Sequence, residues 1–171
     1  MLASALQAEI AKIPLGWTLA YVANDKCKKT FGMNIFTYNA KSIDLFASIQ
    51  FGFPKSKEDY YESLNEESFG DEVTDRFQDL LMYNIGIKKN VFGGLAPYIG
   101  IGYASLTGYA EKYDPEHILA SDGYYVVRDE DADESGVNVN PGLMWHYKSL
   151  AVELGYHSFV NGVAFGLGLN F

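Results

Sequence analysis

Three side chains near the C-terminal end of the sequence have the types that nucleophilic hydrolysis needs. His157 and Ser158 are adjacent, and Glu153 lies four residues before the histidine, a spacing that puts both on one face of an extended strand. A carboxylate that orients an imidazole, which in turn activates a hydroxyl, is the arrangement that attacks acyl esters. The same alternation turns Ser158 away from His157, so adjacency in sequence works against contact in space. A second set, Asp129-x-Asp131-x-Asp133, offers oxygens at alternate positions to a hard cation. Counting from Asp129, however, the sixth position is Glu134 and the twelfth is Asn140, where a tight-turn glycine and a bidentate carboxylate would be needed. Cys27 is the only cysteine, which excludes an intrachain disulfide. Its neighbours Lys26, Lys28 and Lys29 predict an exposed loop, with a thiol that is either incidental or made reactive by the nearby charge.

The elements that must position these groups are strands. In the last stretch, Val163, Phe165, Leu167, Leu169 and Phe171 alternate with Ala164, Gly166, Gly168 and Asn170, the period-two pattern of a strand with two different faces. Similar alternation marks seven earlier strands, beginning near Gly16, Thr30, Ile43, Arg76, Tyr98, Val137 and Leu150. The chain therefore divides into residues 1–14, a leader or a short amphipathic helix carrying Leu2, Leu6, Ile10 and Ile13, and a single all-β domain over 15–171. Met1 to Ala8 lacks the basic start and apolar core of a signal peptide, as in a mature or truncated chain. Two long loops, about 54–76 and 106–136, hold 17 of the 22 acidic residues together with Tyr60, Tyr61, Tyr113, Tyr124 and Tyr125. Tyrosine-rich surface of this kind suits binding, and Asp122-Gly123 between Ile118–Ala120 and Tyr124–Val127 predicts a β-ribbon standing up in the second loop. A net charge of −9 argues against nucleic acid.

Which face is inside decides between a soluble and a membrane barrel. The polar face is built of Gly, Asn, Ser, Gln and Ala with few ionisable groups, which suits a crowded interior, while the Leu, Ile, Val and Phe face suits lipid. The chain from about Gly16 onward, including Pro97-Tyr-Ile-Gly-Ile-Gly-Tyr103 and the terminal Phe171, resembles the small OmpA/OmpX-type outer-membrane barrels. The resemblance implies an eight-stranded antiparallel up-and-down transmembrane barrel with periplasmic termini and long loops outside. It makes Val163 to Phe171 the signal read by the barrel insertion machinery, and outer-membrane lipid and lipopolysaccharide the surroundings. Trp17, Trp145, Tyr147 and Phe171 then form an inner aromatic girdle, and Phe31, Phe53, Tyr103 and Tyr156 an outer one.

Function follows less directly. The leading expectation is a non-enzymatic barrel presenting its acidic, Tyr-rich loops to an extracellular or envelope partner, with no cofactor. Outer-membrane lipid A deacylases place a His and a Ser near the level of His157 and Ser158, although their motif looks like His-x-Ser, so a lipid A acyl hydrolase is one alternative. A narrow conduit for small apolar solutes is another. Asp129, Asp131 and Asp133 resemble only the opening of an EF-hand calcium loop. Inside the barrel, Asn34, Ser48, Gln50, Asn84, Asn138, Asn140, His146 and Glu153 are expected to form a hydrogen-bonded plug. Glu153 then requires Arg76 to reach it, a proton, or a wet lumen.

Overall fold

The structure, a computed structural model, describes residues 14–27, 29–38, 43–53, 59–65 and 71–171, with 59–65 as backbone alone. The leader or helix expected over 2–13 lies outside them. The strands in chain order are β1 (Leu15–Ala23), β2 (Lys29–Thr37), β3 (Ile43–Phe53), β4 (Asp59–Asn65), β5 (Glu72–Lys89), β6 (Leu95–Tyr113), β7 (Tyr124–Arg128), β8 (Glu134–Tyr147), β9 (Leu150–His157) and β10 (Gly162–Asn170). Eight of them close an antiparallel barrel in the order β1-β2-β3-β5-β6-β8-β9-β10, with β10 pairing back onto β1 and β6 onto β8. Closure leaves the barrel wall no free edge.

Side-chain alternation holds around the wall. Leu19, Ile35, Leu45, Ile85, Ile101, Leu154 and Leu167 point outward, each between 47% and 68% exposed. Their strand neighbours Thr18, Asn34, Asp44, Asn84, Gly100, Glu153 and Gly166 are buried. An apolar exterior around a polar interior reverses the arrangement of a water-soluble barrel and matches that of a lipid-facing one.

The lumen is filled in layers. Near the end that carries the long loops, Val22, Cys27, Leu80, Met82, Leu106 and Val160 pack together with Phe159. Near the end that carries the termini, Phe36, Phe46, Tyr98 and Met144 form a second apolar layer. Small inward residues make room for the rings, since a Cβ on Gly142 would lie 2.4 Å from the Tyr98 ring and one on Gly155 would lie 2.2 Å from its hydroxyl.

At the loop end the fold exceeds its expected boundaries. A crossing strand needs about 9 to 11 residues, yet β5 and β6 run for 18 and 19 and stay paired as far as Glu72↔Tyr113. The loop limits expected at 76 and 106 therefore fall within a continuous ladder, and β8 begins at Glu134, earlier than Val137. The expected ribbon is present with a different partner. β7 pairs with β6 from Tyr109↔Arg128 to Tyr113↔Tyr124, while Ile118–Ala120 belong to the turn between them. β4 adds in parallel to β7, so a four-stranded sheet β4-β7-β6-β5 stands beyond the barrel.

Candidate functional site

Between the two apolar layers lies a polar belt whose centre is Glu153 on β9, 3% exposed. Its Oε2 accepts from the Thr18 hydroxyl at 2.5 Å and from the Asn34 amide, and its Oε1 accepts from the Tyr98 hydroxyl at 2.8 Å. Four strands thus converge on one carboxylate: β1 supplies Thr18, β2 Asn34, β6 Tyr98 and β9 the acid itself. Bonds onward run from Gln50 to Asn34, from Asn84 to Gln50 and Ser48, and from Asn138 to Asn84. The chain ends on His157, whose ring nitrogens face the amides of Asn138 and Asn140 at 3.1–3.3 Å.

Neutral donors thereby satisfy Glu153; alternation puts Thr18 and Tyr98 on its side of the wall but not at its height. Arg76 does not reach in. It pairs with the buried Asp129 in the loop-end sheet. His146, expected in the belt, lies nearer the terminal end, where its Nε2 is 3.2 Å from Lys88 Nζ. Lys88 is itself buried in the lumen, bonded to Asp44 at 3.3 Å and lying over the Phe36 ring at 4.9 Å. It continues the inward series Leu80, Met82, Asn84 and Gly86 of β5.

The residues expected to do hydrolytic chemistry are held apart. The Ser158 hydroxyl accepts the Val139 amide at 2.8 Å, and the Ser158 amide donates to the Val139 carbonyl at 3.0 Å. In the same seam Pro141 has no N–H, regular β8–β9 pairing begins only at Gly142↔Gly155, and beyond it side chains bridge the strands. Asn140 donates to the Tyr156 carbonyl and Asn138 accepts the Phe159 amide. Ser158 and His157 are both engaged in this seam, and Glu153 is bonded elsewhere.

Two of the acidic triplet are likewise engaged internally. Asp129 pairs with Arg76, and Asp133 accepts the Gly108 amide at 2.8 Å and Arg128 at 2.5 Å, while Asp131 is exposed on a short 3-10 turn, Glu130–Ala132. No carboxylate, His or Cys cluster suited to a metal occurs among the described residues. Cys27 is buried, contrary to the exposed loop expected from its lysine neighbours. Asn24 Oδ1 accepts the amides of Lys26 and Cys27 in a tight turn that swings the thiol onto the loop-end apolar layer, where it donates to the Gln78 carbonyl. Burial pushes the thiol up to about 11, with Asp79 adding to the shift, so it is not an activated nucleophile.

The loop-end sheet has a core of its own, Ala110, Ala120, Tyr125 and Val127 with Val73 and Leu119 packed against it. Tyr125 belongs to this core and is fully buried, not displayed as expected, and its hydroxyl donates to Asp71 at 2.7 Å. The tip is fixed by Asp114, whose carboxylate accepts the amides of Glu116, Ile118 and Leu119 at 2.8, 2.6 and 3.0 Å. These bonds hold its pKa below the ordinary carboxylate range, Leu119 contributing most. The turn leaves Ile118 75% exposed, and Tyr124, which follows it on β7, is exposed with its ring centroid 5.0 Å from that of Tyr113. Only the backbone of Tyr60 and Tyr61 is described. Facing outward on the barrel wall are Val163, Phe165, Leu167 and Leu169, with Phe171 following, and Phe31, Phe53, Tyr103, Trp145, Tyr147 and Tyr156, the residues expected in the girdles; Trp17, paired with Leu169, is half-buried.

A closed eight-stranded antiparallel barrel with an apolar exterior and a filled polar interior has the fold of the small outer-membrane transmembrane β-barrels. No family model and no curated sequence matches the chain. Solved structures do. The crystal structure of Ail, the attachment invasion locus protein of Yersinia pestis, matches with a TM-score of 0.51 and 13% identity, over 93% of this chain and 96% of that one. The backbone structure of Ail in a phospholipid bilayer nanodisc matches at 0.52 and 14%, over 94% and 100%. At this identity the likeness is one of fold.

Proposed function

We propose that the chain is a non-enzymatic outer-membrane barrel that holds an acidic, tyrosine-bearing sheet beyond the lipid for surface interaction or envelope structure. In this reading the terminal end is periplasmic and the loop end extracellular. The observation that carries it is the separate core of the loop-end sheet, with Asp114 fixing its tip. Loops that only repel other solutes need no such order, whereas a recognition surface gains from being ordered before it binds. The barrel supplies the anchor, and the packed lumen and internally bonded His157 and Ser158 support an anchoring rather than hydrolytic role. Partners on this reading are outer-membrane lipid and lipopolysaccharide, the insertion machinery acting on the Phe171 end, and an extracellular or envelope protein meeting the tip.

The test compares attachment of cells bearing the wild type with cells bearing an Ile118→Ser/Tyr124→Ala variant at equal levels, while orientation is read on a separate version with an epitope placed after Glu116. Antibody labelling of intact cells and weaker attachment of the variant to protein-coated surfaces are expected. Labelling only after permeabilisation refutes the orientation, and equal attachment refutes the role given to the sheet.

A further inference from the structure

The outer wall carries a groove near the terminal end that barrel formation alone does not require. It has a volume of about 350 Å³ and is bounded by Ile43 of β3, Ile87 and Lys89 of β5, and Pro97 and Ile99 of β6. Pairing of β5 with β6 ends at Lys88↔Tyr98, one residue short of Pro97, whose nitrogen cannot extend the ladder. The isoleucines are 48–60% exposed, so the groove opens to whatever surrounds the barrel.

The groove also has a direction. Ile87 and Ile99 are paired across its deeper part. Lys89 stands beside Ile43 at the mouth, where the outward series Leu81, Tyr83, Ile85 and Ile87 ends. Lys88 is committed to Asp44 in the lumen, whereas Lys89 is exposed and enters no ion pair among the described residues. A slot of hydrocarbon with an uncommitted cation at its mouth is complementary in shape and charge to an acyl chain below a phosphate. A lysine there can lay its stem on the apolar wall and its ammonium at the headgroup level.

We propose that this groove binds an anionic phospholipid, with the acyl chain along Ile87, Ile99 and Pro97 and the phosphate on Lys89. The inference rests on the membrane-spanning reading, in which this end lies in a phospholipid leaflet.

The experiment reconstitutes the full chain in phosphatidylcholine vesicles containing phosphatidylglycerol and weighs the released protein by native mass spectrometry. Quenching of tryptophan fluorescence by brominated lipid is recorded on the same vesicles. The wild type should retain phosphatidylglycerol in preference to phosphatidylcholine. Lys89→Gln should lower that preference about fivefold, the factor for one lysine meeting an anionic headgroup. Ile99→Trp should reduce retention of both lipids by filling the slot. Lys148→Gln, at the same end but placed over Tyr147, should retain the wild-type preference. Quenching without any preference, or equal losses from Lys89→Gln and Lys148→Gln, overturns the site alone. Absence of quenching in the wild type overturns the membrane reading and the site with it.

Discussion

Removing the Glu153 carboxylate should cost far more than neutralising it. Glu153→Ala takes the acceptor from Thr18, Asn34 and Tyr98 at once and leaves three donors in a layer sealed above and below by apolar side chains. Each buried donor left without a partner costs about 1–3 kcal/mol. Thr18 and Asn34 retain their mutual bond at 3.0 Å, which offsets part of the loss. The missing side chain also opens a void, so a total of about 3–5 kcal/mol is expected. Glu153→Gln keeps the volume and one acceptor oxygen. Its amide can face the Tyr98 hydroxyl, which rotates to accept, so the cost should stay near 1 kcal/mol, the usual net worth of one bond. Because Asn34 acts through the same carboxylate, Asn34→Ala should be much less damaging in the Glu153→Ala background than in the wild type. The assay is equilibrium urea unfolding of the barrel in lipid vesicles, followed by tryptophan fluorescence and electrophoretic mobility. A loss from Glu153→Gln as large as that from Glu153→Ala, or additivity of the Glu153 and Asn34 variants, would refute the claim that this carboxylate is the shared acceptor of the belt.

Four further perturbations probe other parts of the structure. Leu167→Arg should destabilise the folded barrel by about 2–4 kcal/mol in bilayers, the cost of an outward cation near mid-membrane; a neutral effect would count against the face assignment. Gly166→Ser should also be unfavourable, by about 1–3 kcal/mol of overpacking, because a Cβ there would lie 3.0 Å from Glu153 Oε2; unfolding of both variants in the same vesicles measures the two costs. Ser158→Ala should speed hydrogen exchange at the Val139 amide and leave lipid A acyl patterns unchanged, whereas altered acyl patterns would restore the hydrolase reading. Finally, Asp114 has a depressed folded pKa, so its stabilisation is present above the unfolded value of about 3.9 and is lost as the pH falls through the folded value. Exchange protection of the Glu116, Ile118 and Leu119 amides should therefore fall in acid before that of β1 or β10, and uniform loss across the chain would refute a local role for Asp114.

The wall of the barrel was legible because two contrasting environments act on every second residue. Phe165 and Leu167 against Gly166 and Gly168 fix a face without any knowledge of the neighbouring strands, and the same contrast identified most members of the polar belt. Parity, however, gives only the side of the wall. Height in the lumen depends on register and strand tilt summed around the closed sheet, which is why Thr18 and Glu153, 135 positions apart, meet without any local sign that they should. Lys88 is hard to place from sequence for a related reason. A charged residue followed by Lys89 and two nearby glycines reads as turn, yet one more step of alternation puts it in the lumen, where Asp44 on β3 has the next strand position opposite it.

Beyond the lipid the contrast weakens, since both faces of Glu72–Gln78 meet polar surroundings in part, and a period of two no longer shows where the strand ends. Pairing of β4 with β7 is parallel and crosses a large sequence separation, so no turn signal announces it. Some of what was missed did carry a local signal. Asn24 three residues before Cys27 marks a side-chain-capped turn that can bury a thiol despite three lysines around it, and Pro141 opposite Tyr156 marks a wall position where the ladder must fail. Read together, Pro141 and Asn140 define one feature: the proline removes a donor, and the Asn140 amide supplies one to the Tyr156 carbonyl opposite, while the Ser158 hydroxyl accepts the Val139 amide further along the same seam. A hydroxyl beside a histidine at the rim of this barrel is therefore already engaged in the wall, and the chemistry of this chain is better sought where side chains remain uncommitted, at the tip around Ile118 and at the mouth beside Lys89.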